Sequence, residues 1–321
     1  MSIKNFIGQQ HIIGRISEQN ENGVLGHAYV LSGPPGIGKR TLAAALAKML
    51  LCTENANDAP CGKCNSCKSF DAYSNPRFIR IAPKTRKILI EQIRFMLEDI
   101  SVKPANGRKI YVIEDADRMT PQAQNCLLKT LEEPPSFAVI IMTVCSFESL
   151  LTTIRSRVVQ YKLSRYTSEE ISRILNKSAE TGGDREVAIS YSEGIAGKAI
   201  NISNNERFKS SMERVFGFLF DRQAGSVQDI EFNQYLSKNK DAFNECLDIL
   251  ESVYRDAMLI LAGKHDGLIN SGKRDNILEY ARKYNIQDMA SKISGINAIR
   301  GNLKRYMNYQ LTVDLVSLIE H

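Results

Sequence analysis

The stretch Ser32-Gly-Pro-Pro-Gly-Ile-Gly-Lys-Arg-Thr41 constrains this chain more than any other. Gly33, Gly38 and Lys39 satisfy the phosphate-loop pattern G-x-x-x-x-G-K, with Gly36 inside the loop. Such a loop works only between a strand and a helix, because its N–H groups wrap phosphates while the helix N-terminus adds positive potential. Both neighbours are present. Ala28-Tyr-Val-Leu31 is short and apolar, and Thr41-Leu-Ala-Ala-Ala-Leu-Ala-Lys-Met-Leu50 favours helix. The first domain is therefore expected to be an α/β P-loop domain. Ile110-Tyr-Val-Ile113 and Ala138-Val-Ile-Ile-Met142 supply further buried, parallel strands, and ligands are expected at the strand C-terminal ends.

The pattern changes near Tyr166. Thr167-Ser-Glu-Glu170 is a capping box that opens a short helix, broken at Gly182-Gly183 and followed by a second helix up to the Gly194–Gly197 turn. This predicts a small helical unit over 166–205, after an α/β domain over 1–165. Beyond it β-like runs disappear. Phe243, Leu247, Leu250, Tyr254, Met258 and Leu261 share a helical face, as do, more loosely, Ile299, Leu303, Tyr306, Leu311, Leu315 and Leu318. Residues 206–321 are thus expected to be all-helical. Apolar runs fall short of the roughly 20 residues that span a bilayer, and the N-terminus lacks a signal-peptide core. A cytoplasmic protein with no membrane partner is expected. A net charge of +6 is compatible with nucleic acid without demonstrating it.

Within the phosphate loop one letter departs from the pattern. The position after Lys39 normally carries a hydroxyl that helps hold Mg²⁺, and here it is Arg40. Guanidinium offers only N–H donors and positive charge, whereas Mg²⁺ requires oxygen ligands. Thr41 is rotated about 100° further around the helix and does not replace the missing ligand. A second departure follows the next strand. Where an Asp-Glu order is usual, Ile113 is followed by Glu114 and Asp115, which reverses the side-chain lengths. Attack geometry tolerates little displacement of that kind. Weak or absent hydrolysis is expected, while nucleotide binding to the intact cradle stays open.

These residues resemble the clamp-loader subunits of bacterial DNA polymerase III, a branch of the AAA+ ATPases. The resemblance covers essentially the whole chain. It is carried by Phe6-Ile-Gly-Gln9, Gly33–Lys39, a cysteine insertion after the first helix of the P-loop domain, Asn125-Cys-Leu-Leu-Lys-Thr-Leu-Glu-Glu-Pro-Pro135 and Thr153-Ile-Arg-Ser-Arg157. It implies an AAA+ domain, a helical lid and a helical collar that joins five subunits. The heteropentamer, of gamma/tau and delta partners besides this chain, would use ATP to place a sliding clamp on primed DNA. By position Arg157 would be an arginine finger directed at the nucleotide of a neighbouring subunit, a role suited to a permanently charged planar fork. Thr143 matches a first sensor. The second sensor, normally arginine, is Gly197 beside Lys198. Arg40, Glu114 and Gly197 together place the chain nearer the delta-prime branch than the hydrolysing gamma/tau branch.

Of the 7 cysteines, Cys52, Cys61, Cys64 and Cys67 lie close together in a chain with no export signal. Their spacing suits a closed tetrahedral Zn²⁺ site, structural because four thiolates leave no open position. Reduced thiols and an iron–sulfur cluster are the other readings. Cys126, Cys145 and Cys246 sit in apolar stretches and are expected to be buried packing residues. Two rival functions stand beside the non-hydrolysing loader subunit. One is a gamma/tau-like ATPase. The other is a DNA-binding module using zinc and Lys84, Arg86 and Lys87, residues that equally suit a solvated face.

Overall fold

Three strands of the computed structural model are buried along their whole length: β1 (Ala28–Ser32), β3 (Lys109–Ile113) and β4 (Ala138–Val144). Such runs cannot alternate apolar with polar, because both sheet faces are covered. β2 (Phe78–Ile81) and β5 (Val159–Lys162) carry exposed Arg80, Val159, Gln160 and Lys162, and they form the edges. The order is β2-β3-β4-β1-β5, and every pair is parallel. The structure describes residues 3, 6–54, 59–177, 184–221, 227–304 and 308–320. Gly182 and Gly183, expected to break a helix, lie outside them.

The chain forms two compact units. The first comprises Met1–Ile174 and Gly194–Gly197 and the second Leu175–Glu193 and Lys198–His321. Residues 166–205, expected as a helical unit, are shared between them. In the first unit α1 (Gln10–Glu21) precedes β1, the strands are joined by α2 (Lys39–Leu51), α3 (Asn65–Asp71), α4 (Ile90–Ile100), α5 (Pro121–Glu132) and α6 (Thr152–Arg155), and α7 (Ser168–Lys177) follows β5. On one face of the sheet Val30, Tyr111, Ile113, Ile140 and Met142 pack with Ile93 and Met96 of α4 and Leu127 and Leu131 of α5. The alternate residues Leu31, Val112 and Ile141 are buried on the other face, where α2 packs. The capping box is formed as read: Glu170 N–H donates to Thr167 Oγ1 at 3.2 Å, and Thr167 N–H donates to the Glu170 carboxylate at 2.9 Å.

The second unit contains no strand among the described residues. After α8 (Arg185–Ser192) and α9 (Ala196–Ser203), it is built on α10 (Glu206–Phe220), α11 (Val227–Lys238), α12 (Phe243–Leu261), α13 (Arg274–Ala281), α14 (Ile286–Lys304) and α15 (Tyr309–Leu318). α12 buries Phe243, Leu247, Leu250 and Tyr254 of its expected stripe. The second stripe holds only at its start, where Ile299 is buried. Leu311 and Leu318 are exposed, and α15 instead buries Val313 and Val316. The reason is a helix break, since Asn308 caps a new helix and resets the phase. Leu303 and Tyr306 lie among residues whose side chains are not described.

Asp256 of α12 is wholly buried. Its carboxylate accepts from the N–H groups of Ile269 at 3.0 Å and Asn270 at 2.7 Å, and from Asn270 Nδ2 at 2.9 Å. Those bonds fix the loop after α12, because a buried carboxylate without partners is costly. Asp256→Ala is expected to destabilise the protein by about 2–4 kcal/mol, since it leaves buried donors unpaired, whereas exposed Asp266→Ala changes stability by less than about 0.5 kcal/mol. Urea denaturation of both variants checks this.

Candidate functional site

The parallel register places three candidate segments along one edge of the sheet. β4 lies between β1 and β3, so the loop after Ser32, Thr143 of β4 and the acidic pair after Ile113 converge at the strand C-terminal ends. The loop backbone needs glycine where it turns. Gly36 and Gly38 have φ of 81° and 101°, conformations that side chains disfavour. Lys39 is only 6% exposed, and its ammonium donates to Gly33 O at 2.7 Å and Pro34 O at 2.9 Å. It also lies 3.6 Å from Cys145 Sγ. That thiol is exposed, which corrects the expected burial: β4 ends at Val144, and Cys145 stands just beyond it. Cys246 is buried as expected, and burial pushes its thiol up to about 12, while Cys126 is half-buried.

Arg40 is half-exposed, but its guanidinium turns onto the acidic pair. Its Nη2 lies 2.5 Å from Asp115 Oδ2 and its Nε 3.4 Å from Glu114 Oε2. Glu114 is held from its other side by Arg80, whose Nε and Nη2 reach the two carboxylate oxygens at 2.7 and 2.9 Å. This bidentate contact keeps the Arg80 guanidinium charged, moving its pKa upward. Buried Thr143 accepts from the Asp115 N–H at 3.0 Å, so the expected sensor touches the backbone of the acidic pair. Thr41 is exposed at the start of α2. Gly197 meets the loop directly. Its N–H donates to Gly36 O at 2.8 Å, and a Cβ built on it would lie 3.0 Å from Gly36 Cα and O. A side chain at that position would press against loop backbone.

Mg²⁺ does not fit these residues as they stand. The α2 position that would offer a hydroxyl presents a guanidinium, and both carboxylates are engaged by arginines. The reading of the sequence missed Arg80, although a charged residue inside Phe-Ile-Arg-Ile was the available signal. It also missed Glu132. Arg157 follows α6, and its Nη2 pairs with Glu132 Oε1 at 2.9 Å while Nη1 donates to Thr153 O at 2.9 Å. Arg157 is not brought near the phosphate loop. It precedes β5, whereas the loop follows β1, and these strands run parallel with Tyr29 level with Val159. The two therefore lie at opposite ends of the sheet, separated by a strand of roughly 13 Å.

The four clustered cysteines come together as expected. Their sulfurs all lie within 4.8 Å of one another, and Cys52 and Cys64 Sγ are 4.0 Å apart. Backbone N–H groups point at the sulfurs, with Cys64 N donating to Cys61 Sγ at 3.3 Å and Cys67 N to Cys64 Sγ at 3.4 Å. Burial raises the thiols of Cys52 and Cys67, the latter to about 12. Burial acts the same way on Cys64, but hydrogen bonds from Thr53 and Cys67 outweigh it and lower that thiol to about 5. Four convergent sulfurs with amide donors fit a metal such as zinc, which would tie the end of α2 to α3. Lys84, Arg86 and Lys87 are exposed.

A family model described as "DNA polymerase III, delta subunit" matches residues 8–167. The chain is 33% identical over 227 residues to DNA polymerase III subunit gamma of Buchnera aphidicola subsp. Schizaphis graminum, covering 66% of this chain and 62% of that protein. It is 29% identical over 268 residues to DNA polymerase III subunit delta′ of Bacillus subtilis, covering 81% and 80% respectively. It spans only 25% of the tau/gamma subunit of Haemophilus influenzae. A solved gamma subunit-related protein of Thermotoga maritima aligns over 97% of this chain and 98% of its own, with TM-score 0.48 and 19% identity. No helix among the described residues is long and apolar enough to cross a membrane.

The cysteine cluster yields a direct test. Protein purified without chelator is expected to carry zinc by elemental analysis, and Cys64→Ser or Cys67→Ser to lose it and lower Tm by about 5 °C or more. Wild-type protein that is free of metal and melts at the same temperature would count against the site.

Proposed function

The chain belongs with the clamp-loader subunits of DNA polymerase III, and from that premise we propose that it assembles with gamma/tau and delta partners and donates Arg157 to a neighbour's nucleotide. The reading is supported by one observation above all: Arg157 stands at the end of β5 remote from its own phosphate loop. An arginine so placed cannot serve the cradle of its own chain, whereas it can meet a phosphate presented by another subunit. There its fixed charge would stabilise the charge that develops on the transferred phosphoryl group. The chain's own loop, with Arg40 in place of a hydroxyl, Glu114 before Asp115 and Gly197 in place of a second sensor, is a weakly hydrolysing or non-hydrolysing site. Residues 166–205 act as lid and 206–321 as the collar through which the heteropentamer forms, while the cysteine cluster holds structural Zn²⁺. The assembly, working in the cytoplasm at the replication fork, would use ATP to load a sliding clamp onto primed DNA.

A second reading is favoured by the similarity to gamma subunits and by the complete cradle from Gly33 to Lys39: a gamma/tau-like ATPase. The two separate in one reconstitution. With the partner subunits, Arg157→Ala is expected to assemble normally and slow hydrolysis at the facing site by at least about 100-fold, as removal of an arginine finger does. Lys39→Ala changes the rate by less than about twofold if this chain's own site is idle. Unchanged turnover by the Arg157 variant would falsify the finger, and collapse of turnover in the Lys39 variant would establish the ATPase.

A further inference from the structure

Among the described residues, three half-exposed arginines make the ion pairs around the acidic residues. Glu114 and Asp115 have side chains 6% and 14% exposed, and three guanidinium groups surround them. Arg40 bridges the two carboxylates, at 2.5 Å from Asp115 and 3.4 Å from Glu114. Arg80 grips both oxygens of Glu114, and Arg118 Nε stands 3.8 Å from Asp115 Oδ2. Three positive and two negative charges leave the set at +1 without Lys39, which lies in the adjoining loop. A divalent cation would enter a positive field and compete with charge-assisted hydrogen bonds for its ligands. Arg40 stands in the first turn of α2, the position from which a metal ligand would project, and turns its charge onto the acids. It does there what a metal does in such sites, neutralising the acidic strand end beside the phosphates.

We infer that Arg40 is a resident cation in the place of Mg²⁺, so that the phosphate loop takes its diphosphate or triphosphate ligand free of metal. The inference rests on the reading of Gly33–Lys39 as a phosphate cradle with impaired hydrolysis, and it supplies the cause of that impairment. Binding and metal dependence are thereby separated: the cradle keeps its anion grip, with Lys39 as the charge for the phosphates and Arg40 as the charge for the acids. The proposed trans role of Arg157 is untouched by it, because Arg157 lies at the other end of the sheet.

The test uses the full chain without partners, and so stands apart from the reconstituted ATPase. A fluorescent ADP is titrated in excess Mg²⁺ and in EDTA, and Mn²⁺ binding with ADP present is followed by electron paramagnetic resonance. Because excess Mg²⁺ takes up free ADP, the wild type is expected to bind ADP no more tightly in Mg²⁺ than in EDTA and to hold no Mn²⁺ beyond what ADP holds alone. Arg40→Ser is expected to bind Mn²⁺ and to gain at least about tenfold in ADP affinity from Mg²⁺. Arg80→Gln, which keeps Arg40, is expected to stay metal-free, so the effect is that of one side chain rather than of general positive charge. Mn²⁺ held by the wild type beyond what ADP holds alone, no ADP bound in either medium, Arg40→Ser gaining nothing from Mg²⁺, or metal admitted by Arg80→Gln would each overturn the inference.

Discussion

β1 is hydrogen-bonded on both sides, to β4 and to β5, and is buried on both faces. A strand held in this way cannot slip by one residue without exchanging its two faces and breaking two ladders at once. Everything that follows Ser32 is therefore fixed relative to everything that follows Ile113 and to Thr143. The same parallel arrangement sends Arg157 to the opposite end. One constraint, parallel pairing of buried strands, thus sets both what converges on the phosphate loop and what is kept from it.

At the converging end the chemistry is decided by charge rather than by shape. The departures that look independent along the chain meet in space: Arg40, in place of a hydroxyl, lies against Glu114 and Asp115, the pair in reversed order. A guanidinium there without acidic partners would repel Lys39 and any loop of cationic character. The acids without it would keep only Arg80 and Arg118. Either change alone would leave like charges facing one another or a nearly buried carboxylate under-neutralised, at the cost such groups carry. As a set they are mutually satisfied.

What could be read along the chain was whatever is local. The phosphate loop, the capping box at Thr167 and the cysteine spacing each declare themselves within about twenty residues, because their partners are sequence neighbours. The parallel sheet was legible too, since buried strands are continuous apolar runs. Non-local contacts were not. Arg80 meets Glu114 across two strands, Glu132 meets Arg157 across a helix and a strand, and Gly197 reaches Gly36 from far along the chain. The periodicity of 299–318 misled for a related reason. A repeat of apolar residues carries no mark of the break at Asn308, and once the phase resets Leu311 and Leu318 fall on the solvent side. Cys145 misled by a single position, since a strand ending at Val144 turns an apolar run into an exposed thiol.

At Gly197 the proposed loss of a sensor and a gain of packing would be one event. An arginine at that position would project from a backbone that instead lies against Gly36, and even a Cβ there would sit at 3.0 Å from loop atoms. The hydrogen bond from Gly197 N–H to Gly36 O uses a loop carbonyl, while the ammonium of Lys39 occupies those of Gly33 and Pro34. Three carbonyls of the loop are thus bonded inside the first unit. A switch driven by the outer phosphate needs groups that change partners when that phosphate leaves. Here the proposed sensor position is backbone packed on backbone, and the position expected to serve a metal holds an arginine tethered to both Glu114 and Asp115. In the proposed reading this suits a subunit that holds its shape while its neighbours turn over nucleotide, because a finger directed across an interface is effective only if the body carrying it stays in place.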